Sequence, residues 1–216
     1  KVLRRLVPRS LASSNISAAA VFRVIEKYQP VLLIDEADSF LNMNEELRGI
    51  LNSGHDKELA YTTRTVGNDH EPRTFSTWGP KAIALIGELP DTVTDRSIVI
   101  QLRRKRLDEK VSSLSKNRKN TKAQFEDLKR KCARWKEDNY QGLEHAEPEM
   151  LEGLHDRQAD NWEPLFAVAE ASGGAWPETV RKAARTFCGG ETAEEDSERV
   201  MLLSDIRDIF GQCKAD

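Results

Sequence analysis

The residues most able to do chemistry are Asp35, Glu36 and Asp38, which directly follow four aliphatic residues in the string VLLIDEAD. The continuous apolar run Val31–Ile34 is typical of a strand covered on both faces, as in a parallel sheet. Such a strand leads to the carboxyl edge of the sheet, where open α/β folds bind ligands. Asp35 could hold Mg²⁺ there beside a phosphate chain, and Glu36 could polarise an attacking water. The alternative is that an acidic strand end merely caps the next helix.

The elements that would position these carboxylates alternate between strands and helices. Capping residues and apolar spacing predict a helix after Ser14, Asn15 or Ser17, and another from about Asn44 to Ser53 that stops at Gly54. Runs of β-branched and aromatic residues on both sides of GNDHEP predict a hairpin with its turn at Gly67–Pro72. Strands are predicted at Arg9–Ser13, Val31–Ile34, Ala82–Ile86 and Ser97–Leu102. We therefore expect an α/β fold with a doubly wound parallel sheet.

The character of the sequence changes beyond Arg106. Residues 107–149 are highly charged and predicted to be helical, and three amphipathic helices are predicted after them. These helices are expected in the strings DNWEPLFAVAEASGG, AWPETVRKAARTFCGG and SERVMLLSDIRDIFG. The sequence thus predicts a core domain over residues 1–106 and an all-helical subdomain over residues 107–216.

Composition sets limits on the class of protein. The 216 residues carry a net charge of −3, so a nucleic-acid contact would need a local basic patch. Three widely separated cysteines, Cys132, Cys188 and Cys213, favour a reducing compartment, which we take to be the cytoplasm. No apolar run has the length of a membrane span, so no membrane partner is expected. The four histidines, His55, His70, His145 and His155, have no metal-ligand spacing.

VLLIDEAD resembles the Walker B motif of AAA+ ATPases and of the related superfamily 3 helicases, and the order of elements extends this resemblance over Lys1–Arg106. A second resemblance, which also includes VLLIDEAD, is to an uncharacterised ATPase domain. It is carried by the strings ELRGILNSGH, FSTWGPKAIALIG, LPDTVTDRSIVIQLRRKR and DRQADNWEPLFAVAE. That domain is attached to primase-helicases and replication proteins of phages, plasmids and integrated elements. The resemblance implies an incomplete P-loop NTPase sheet followed by a helical lid, with ATP and Mg²⁺ as cofactors. It also implies a ring of identical subunits acting on DNA.

The Walker A loop, which surrounds phosphates with backbone N–H groups and a lysine, is absent from the sequence. Gly49 and Gly54 have the required spacing, but His55 and Asp56 follow them instead of Lys and Ser or Thr. In the family's order the loop would come immediately before Lys1, so the chain is expected to be a fragment that is inactive alone. The letters DEAD also occur in superfamily 2 RNA helicases, but the downstream motifs of that family are missing.

The resemblance gives two arginines a role at the phosphates. Arg96 matches an arginine finger that reaches the nucleotide of a neighbouring subunit, and Arg157 matches a sensor 2 arginine of the lid. The alternatives are local ion pairs, of Arg96 with Asp91 or Asp95 and of Arg157 with Asp156 or Asp160. The expected sensor 1 position is occupied by Gly87 and Glu88 rather than by Asn, Ser or Thr, so that role has no candidate.

The hairpin supplies the candidate nucleic-acid residues. In the related helicases a hairpin before the sensor 1 strand projects basic residues toward DNA. Lys57, Arg64, His70 and Arg73 lie in or beside the predicted hairpin and could contact phosphates. An ordinary solvated turn is the alternative, because Asp69 and Glu71 flank His70. The RRKR run at residues 103–106 is a second phosphate candidate.

Two function hypotheses follow from the sequence. The first is the ATP-hydrolysing core of a DNA helicase or translocase with a replication or primase-helicase role in a mobile element. The second is an oligomerisation or DNA-binding module that nucleotide switches without hydrolysis. Glu36 favours the first, because a module that only binds has no need of a water-polarising carboxylate.

Overall fold

The computed structural model describes residues 1–39, 44–110 and 119–188. The protein is a mixed α/β chain with a small parallel sheet and many helices. It divides into two compact units, Lys1–Asp138 and Asn139–Asp216. The division lies between Asp138 and Asn139, within the helix that the charged region was predicted to form.

The first unit contains the strands and most of the helices. In chain order its elements are α1 (Val2–Leu6), β1 (Ser10–Ser13), α2 (Ala18–Tyr28), β2 (Val31–Ile34), a 3₁₀ turn (Ala37–Ser39), α3 (Glu45–Ser53), β3 (Tyr61–Val66), β4 (Glu71–Ser76), β5 (Lys81–Ile83), α4 (Asp91–Thr94) and α5 (Lys119–Glu144), which runs into the second unit.

The parallel sheet has the strand order β1-β2-β5, so β2 is its central strand. Helix α2 connects β1 to β2, and α3 with the β3–β4 hairpin connects β2 to β5. Both helices contact one another and share a core with Leu32 and Ile34, which are almost fully buried. Val31 and Leu33 point to the other face and are only partly buried. The predicted cover of β2 on both faces is therefore complete on one face only.

The helix starts that the sequence predicts are confirmed. The Ser17 hydroxyl accepts a hydrogen bond from Ala20 N–H (3.3 Å), which makes Ser17 the N-cap among the three candidates. The Asn44 side chain accepts a hydrogen bond from Leu47 N–H (2.9 Å) at the start of α3. The hairpin is also confirmed, with β3 and β4 antiparallel.

The prediction of a strand at Ser97–Leu102 is wrong. This segment has no strand structure, and its side chains Val99, Ile100 and Leu102 are exposed. An apolar β-branched pattern gives a segment the capacity to form a strand, but the strand itself requires a hydrogen-bonded neighbour. Among the described strands, β5 lies at one edge of the parallel sheet and pairs only with β2. It is also shorter than predicted, ending at Ile83.

The second unit contains the end of α5, α6 (Asp156–Ser172) and α7 (Trp176–Cys188), as the sequence predicts. His155 and Gln158 form a capping box at the start of α6. Trp162 stacks on Phe166 (6.1 Å between ring centroids), and Phe187 of α7 contacts Trp162 at the same distance. The helix predicted in SERVMLLSDIRDIFG lies outside the described residues.

The described helices include none that is long and apolar enough to cross a membrane.

Gly54 ends α3 as predicted, with a φ of −80° rather than the left-handed conformation common at helix ends. A Cβ atom at Gly54 would instead overlap the carbonyl oxygen of Thr77 and the amine of Lys81. Lys81 Nζ donates hydrogen bonds to the carbonyl oxygens of Gly54 (3.0 Å) and Gly79 (2.9 Å). A partly buried lysine thus satisfies the carboxyl end of α3 and joins it to the start of β5.

We expect Gly54→Ala to destabilise the protein by about 2 kcal/mol or more, because overpacking against a backbone carbonyl forces the chain to shift. Gly49→Ala is the matched control, since Gly49 is inside the same helix and a Cβ there would meet nothing within 4 Å. The control should gain about 1 kcal/mol from helix propensity. Urea unfolding of the two variants measures both values. Equal effects of the two substitutions would contradict the close packing at Gly54.

Burial of Lys81 predicts a specific pH dependence of stability. Desolvation lowers the pKa of Lys81 from its ordinary 10.5 to about 8. The unfolded chain therefore holds this proton up to higher pH than the folded chain does. The free energy of unfolding should rise by up to about 3 kcal/mol as the pH increases from 8 to 10.5. Urea unfolding of wild type and Lys81→Met over this range isolates the effect, because the variant should lack this increase.

Candidate functional site

The carboxyl ends of β1, β2 and β5 meet at one edge of the parallel sheet, and Asp35 and Glu36 lie there at the end of the central strand. Asp35 N–H donates to the carbonyl of Ser13, at the end of β1 (2.9 Å). The side chains of Asp35 and Glu36 are both exposed. The structure thus places the two carboxylates that the sequence singled out at the carboxyl edge of the sheet, the edge where open α/β sheets generally bind ligands.

The pairing between β2 and β5 is interrupted at these two residues. Leu32 N–H donates to the Pro80 carbonyl (3.0 Å), and farther along Ala37 N–H donates to the Ala84 carbonyl (3.1 Å). Regular parallel pairing continued from the first bond would make Glu36, not Ala37, the donor to Ala84. The chain therefore carries one extra residue, a β-bulge, directly before Ala37. Bulges beside active sites change the direction in which a side chain points.

The backbone of Glu36 shows where the extra residue is accommodated. Its φ is +57°, in the left-handed region that glycine adopts without strain and glutamate rarely does. Its N–H donates to the carboxylate of Asp35 (3.2 Å). A glutamate held in this conformation costs on the order of 1 kcal/mol or more, and such strain concentrates at functional sites.

Asp38 fixes the far side of the bulge. Its carboxylate accepts a hydrogen bond from Ile86 N–H (3.3 Å), beyond the end of β5, and the neighbouring Ala37 is fully buried. The sequence string contains Asp38 but gives no sign of this role, because the partner lies 48 residues away. Helix α3 has its own cap, Asn44, so the described contacts of Asp35 and Asp38 are not those of a cap for that helix.

Two adjacent, exposed carboxylates can bind a hard cation and orient water. Within the described ranges, no group of three or more His, Cys, Asp or Glu residues could hold a metal ion by itself. Mg²⁺ commonly takes one or two carboxylates and completes its shell with water and phosphate oxygens. The donor set at Asp35 and Glu36 therefore fits Mg²⁺ that arrives with a phosphate ligand, rather than a permanent protein-only metal site.

Arg96 follows α4, and seven residues, 84–90, lie between the end of β5 and the start of α4. Its guanidinium donates to the carbonyl of Thr92, one turn earlier (2.8 Å), and its side chain is partly exposed. The residues at the expected sensor 1 position, Gly87 and Glu88, are exposed and lie beyond the end of β5. Arg157 belongs to the second unit, where it is exposed in the first turn of α6.

The basic residues of the hairpin are not equivalent. Lys57 is exposed before β3, and His70 is exposed in the turn with a φ of +53°. Arg64 and Arg73 are directly opposite each other on the paired strands. Arg64 forms an ion pair with Glu46 of α3 (3.1 Å), whereas Arg73 is exposed. The hairpin therefore presents Lys57, His70 and Arg73 more openly than Arg64.

The RRKR run at residues 103–106 has an acidic neighbour. The guanidinium of Arg103 pairs with the carboxylate of Glu109, which also accepts a hydrogen bond from Arg106 N–H (2.8 Å). These bonds hold the pKa of the Glu109 carboxyl below its usual range, Arg103 being the larger cause. One of the four positive charges is thus compensated within the run.

Comparison with known proteins shows which family contains this sequence. Residues 101–216, just over half of the chain, match the family described as "Protein of unknown function (DUF3631)". The chain belongs to this family. The DUF3631 match begins after Asp35, Glu36 and Arg96 and includes Arg157, so the exposed carboxylates lie outside the matched residues.

A curated relative from Saccharopolyspora erythraea is described as "Uncharacterized 28.9 kDa protein in xis 5'region". It is 44% identical over 86 residues, which are 39% of this chain and 32% of the relative. The chain thus matches about a third of that relative's length. No solved structure matches the chain.

The strain at Glu36 can be measured by comparing two truncations of the same side chain. Glu36→Gly and Glu36→Ala both remove the carboxylate, but only glycine adopts a φ of +57° freely. We expect the glycine variant to be about 1 kcal/mol more stable than the alanine variant in urea unfolding. The same pair at Asp35, whose φ is not positive, is the control and should give the opposite order. The same order at both positions would contradict a strained Glu36.

Proposed function

We propose that the chain is part of the ATP-hydrolysing core of a DNA helicase or translocase with a P-loop NTPase fold. The observation that supports this most is the pair of exposed carboxylates, Asp35 and Glu36. They follow the central strand of a parallel sheet, and Glu36 is the left-handed residue of a bulge at the end of that strand. Capping of a helix requires neither the bulge nor the strain.

The proposed chemistry divides between the two side chains. Asp35 would hold Mg²⁺, and the bound ion would neutralise part of the charge on the phosphates of ATP. Glu36 would orient and polarise the water that attacks the terminal phosphate. Asp38 positions both by holding the turn against the chain that follows β5, through its hydrogen bond from Ile86 N–H.

The P-loop proposal requires a phosphate-binding loop from outside these residues, since the sequence has no Walker A motif. In P-loop folds that loop follows a parallel strand. The outer edge of β5 has no partner among the described strands, and Ser97–Leu102, next in the chain after α4, leaves apolar side chains exposed. An additional strand between these two segments would pair with β5 and cover those side chains, as a doubly wound sheet requires.

The remaining residues would act between subunits or from the lid. In a homo-oligomeric ring, Arg96 would reach the phosphates held by a neighbour, and exchange its bond to the Thr92 carbonyl for one to phosphate. Arg157 would have the role of a sensor 2 arginine, which the resemblance gives it. The replication or primase-helicase role in a mobile element, and the cytoplasmic location, rest on the resemblance and on the composition of the sequence.

The hydrolysis proposal is tested with the full natural protein that contains this chain, by measuring ATP turnover with and without DNA. Glu36→Gln should lower kcat by about 100-fold or more, because it removes the water-polarising carboxylate. Arg96→Ala should lower kcat by about 1,000-fold if it is a finger. Mixing the two inactive variants should restore turnover, because some interfaces then contain an intact Glu36 from one subunit and an intact Arg96 from the next.

Glu126→Gln is the matched control, since Glu126 is an exposed carboxylate of α5 outside the proposed site. It should retain wild-type turnover. Unchanged turnover in Glu36→Gln would rule out the hydrolytic role. Nucleotide binding without turnover in the wild type would instead support a nucleotide-switched oligomerisation or DNA-binding module.

A further inference from the structure

A pair of buried phenylalanine rings lies where the hairpin packs on α2. Phe22 of α2 and Phe75 of β4 are nearly fully buried, and their ring centroids are 4.8 Å apart at an angle of 52°. The pair joins β4 of the hairpin to α2, two elements that are in contact. Glu26 reinforces this contact by accepting a hydrogen bond from Ser76 N–H (2.8 Å).

Three guanidinium groups lie over this ring pair, and we name Arg23, Arg64 and Arg73 the arginine cluster. Arg23 lies 4.9 Å from the centroid of Phe22 and 5.9 Å from that of Phe75. Arg64 lies 5.6 Å from Phe22, and Arg73 lies 4.9 Å from Phe75. Residues from α2, β3 and β4 thus bring three positive charges onto one small area.

The charge of the arginine cluster is only partly compensated. Arg64 pairs with Glu46, but Arg23 donates to the backbone carbonyl of Ala19 (2.8 Å). In the part of the chain that the structure describes, neither Arg23 nor Arg73 has a carboxylate within ion-pair distance. Both side chains are also exposed. The cluster is therefore an accessible surface with more positive than negative charge, on a protein whose net charge is −3.

The cluster also contains a local repulsion. Arg64 and Arg73 are directly opposite on antiparallel strands, an arrangement that destabilises a hairpin when the charges are alike. The rings and Glu46 offset part of this cost. An anion that binds between the two arginines and Arg23 would remove the rest.

We propose that the arginine cluster binds the phosphate backbone of DNA, with Arg23 as a contact residue that the sequence did not indicate. The DNA ligand rests on the proposed function, whereas the anion chemistry rests on the cluster itself. Because Phe22 and Phe75 are buried, no base can stack on them, and the contact that the three arginines offer is to phosphates. Binding at this surface is therefore independent of base sequence and weakens as salt increases.

The test is fluorescence anisotropy of a labelled 30-nucleotide oligo(dT) with the protein, from 50 to 200 mM KCl and without ATP. Arg23→Gln and Arg73→Gln should each weaken binding about fivefold to tenfold at 50 mM KCl. Each should also lower the slope of log affinity against log salt by about 0.7, the value for one phosphate contact on a single strand. Arg130→Gln, an exposed arginine of α5, should leave both the affinity and the slope unchanged.

Thermal unfolding of the same variants separates binding from a structural role. Arg73→Gln removes a like charge opposite Arg64, so its Tm should equal or exceed that of the wild type. A lower Tm with unchanged oligonucleotide affinity would mean that the arginine only packs on the rings. The proposal would be overturned if Arg23→Gln and Arg73→Gln both kept the affinity and salt slope of the wild type. It would also be overturned if the wild type did not bind the oligonucleotide.

Because the binding assay contains no ATP, the proposal of ATP hydrolysis and the proposal of DNA binding by the arginine cluster can fail separately. Arginine-dependent binding by a protein without ATP turnover contradicts only the hydrolytic function. If turnover depends on Glu36 but DNA binding is unaffected by Arg23→Gln and Arg73→Gln, only the proposed role of the arginine cluster is contradicted.

Discussion

The first unit depends on the pairing of β2 with a parallel strand on each side. Hydrogen bonds to β1 and β5 fix its position, and the burial of Leu32 and Ile34 under α2 and α3 fixes which face points inward. The position at which the chain leaves β2 is thereby fixed. Asp35 remains bonded to the end of β1, while Ala37 is bonded to the chain after β5. The extra residue has to be accommodated between these two constraints, and that residue is Glu36.

The same framework determines what the hairpin can present. Phe75 must be buried against Phe22 for β4 to pack on α2, and alternation along the strand places Arg73 on the same side as Phe75. Antiparallel register then places Arg64 beside Arg73. The arginines of the hairpin are therefore gathered by the packing that stabilises it, and Arg23 joins them because it follows Phe22 on α2.

Features governed by nearby residues could be predicted from the sequence. The strand Val31–Ile34, the caps Ser17 and Asn44 and the hairpin all follow from apolar runs, capping side chains and turn residues a few positions apart. The sequence therefore also placed Asp35 and Glu36 correctly at a strand end.

Features governed by tertiary pairing could not be predicted in this way. Ser97–Leu102 has the composition of a strand, but composition does not supply a neighbouring strand. Gly54 lies at the predicted helix end, yet the reason is close approach of Thr77 and Lys81 rather than a left-handed φ. The bulge before Ala37 and the arginine cluster depend on register across the sheet and between elements. The hairpin pattern therefore indicated Arg64 and Arg73 but not Arg23, and VLLIDEAD indicated Glu36 but not its left-handed backbone.

The conformation of Glu36 bears on the two interpretations of VLLIDEAD, a pair of catalytic carboxylates or an acidic strand end that only caps a helix. If the acidic residues served only to end a strand, glycine or asparagine at position 36 would satisfy the bulge with less strain, and Asn44 would still cap α3. A glutamate in this conformation gives up stability and gains an exposed carboxylate beside that of Asp35. The cost is of the order of one hydrogen bond, which the pairing of β2 on both sides is able to offset. Local strain combined with an exposed carboxylate is what the hydrolytic role proposed for Glu36 would require of this position.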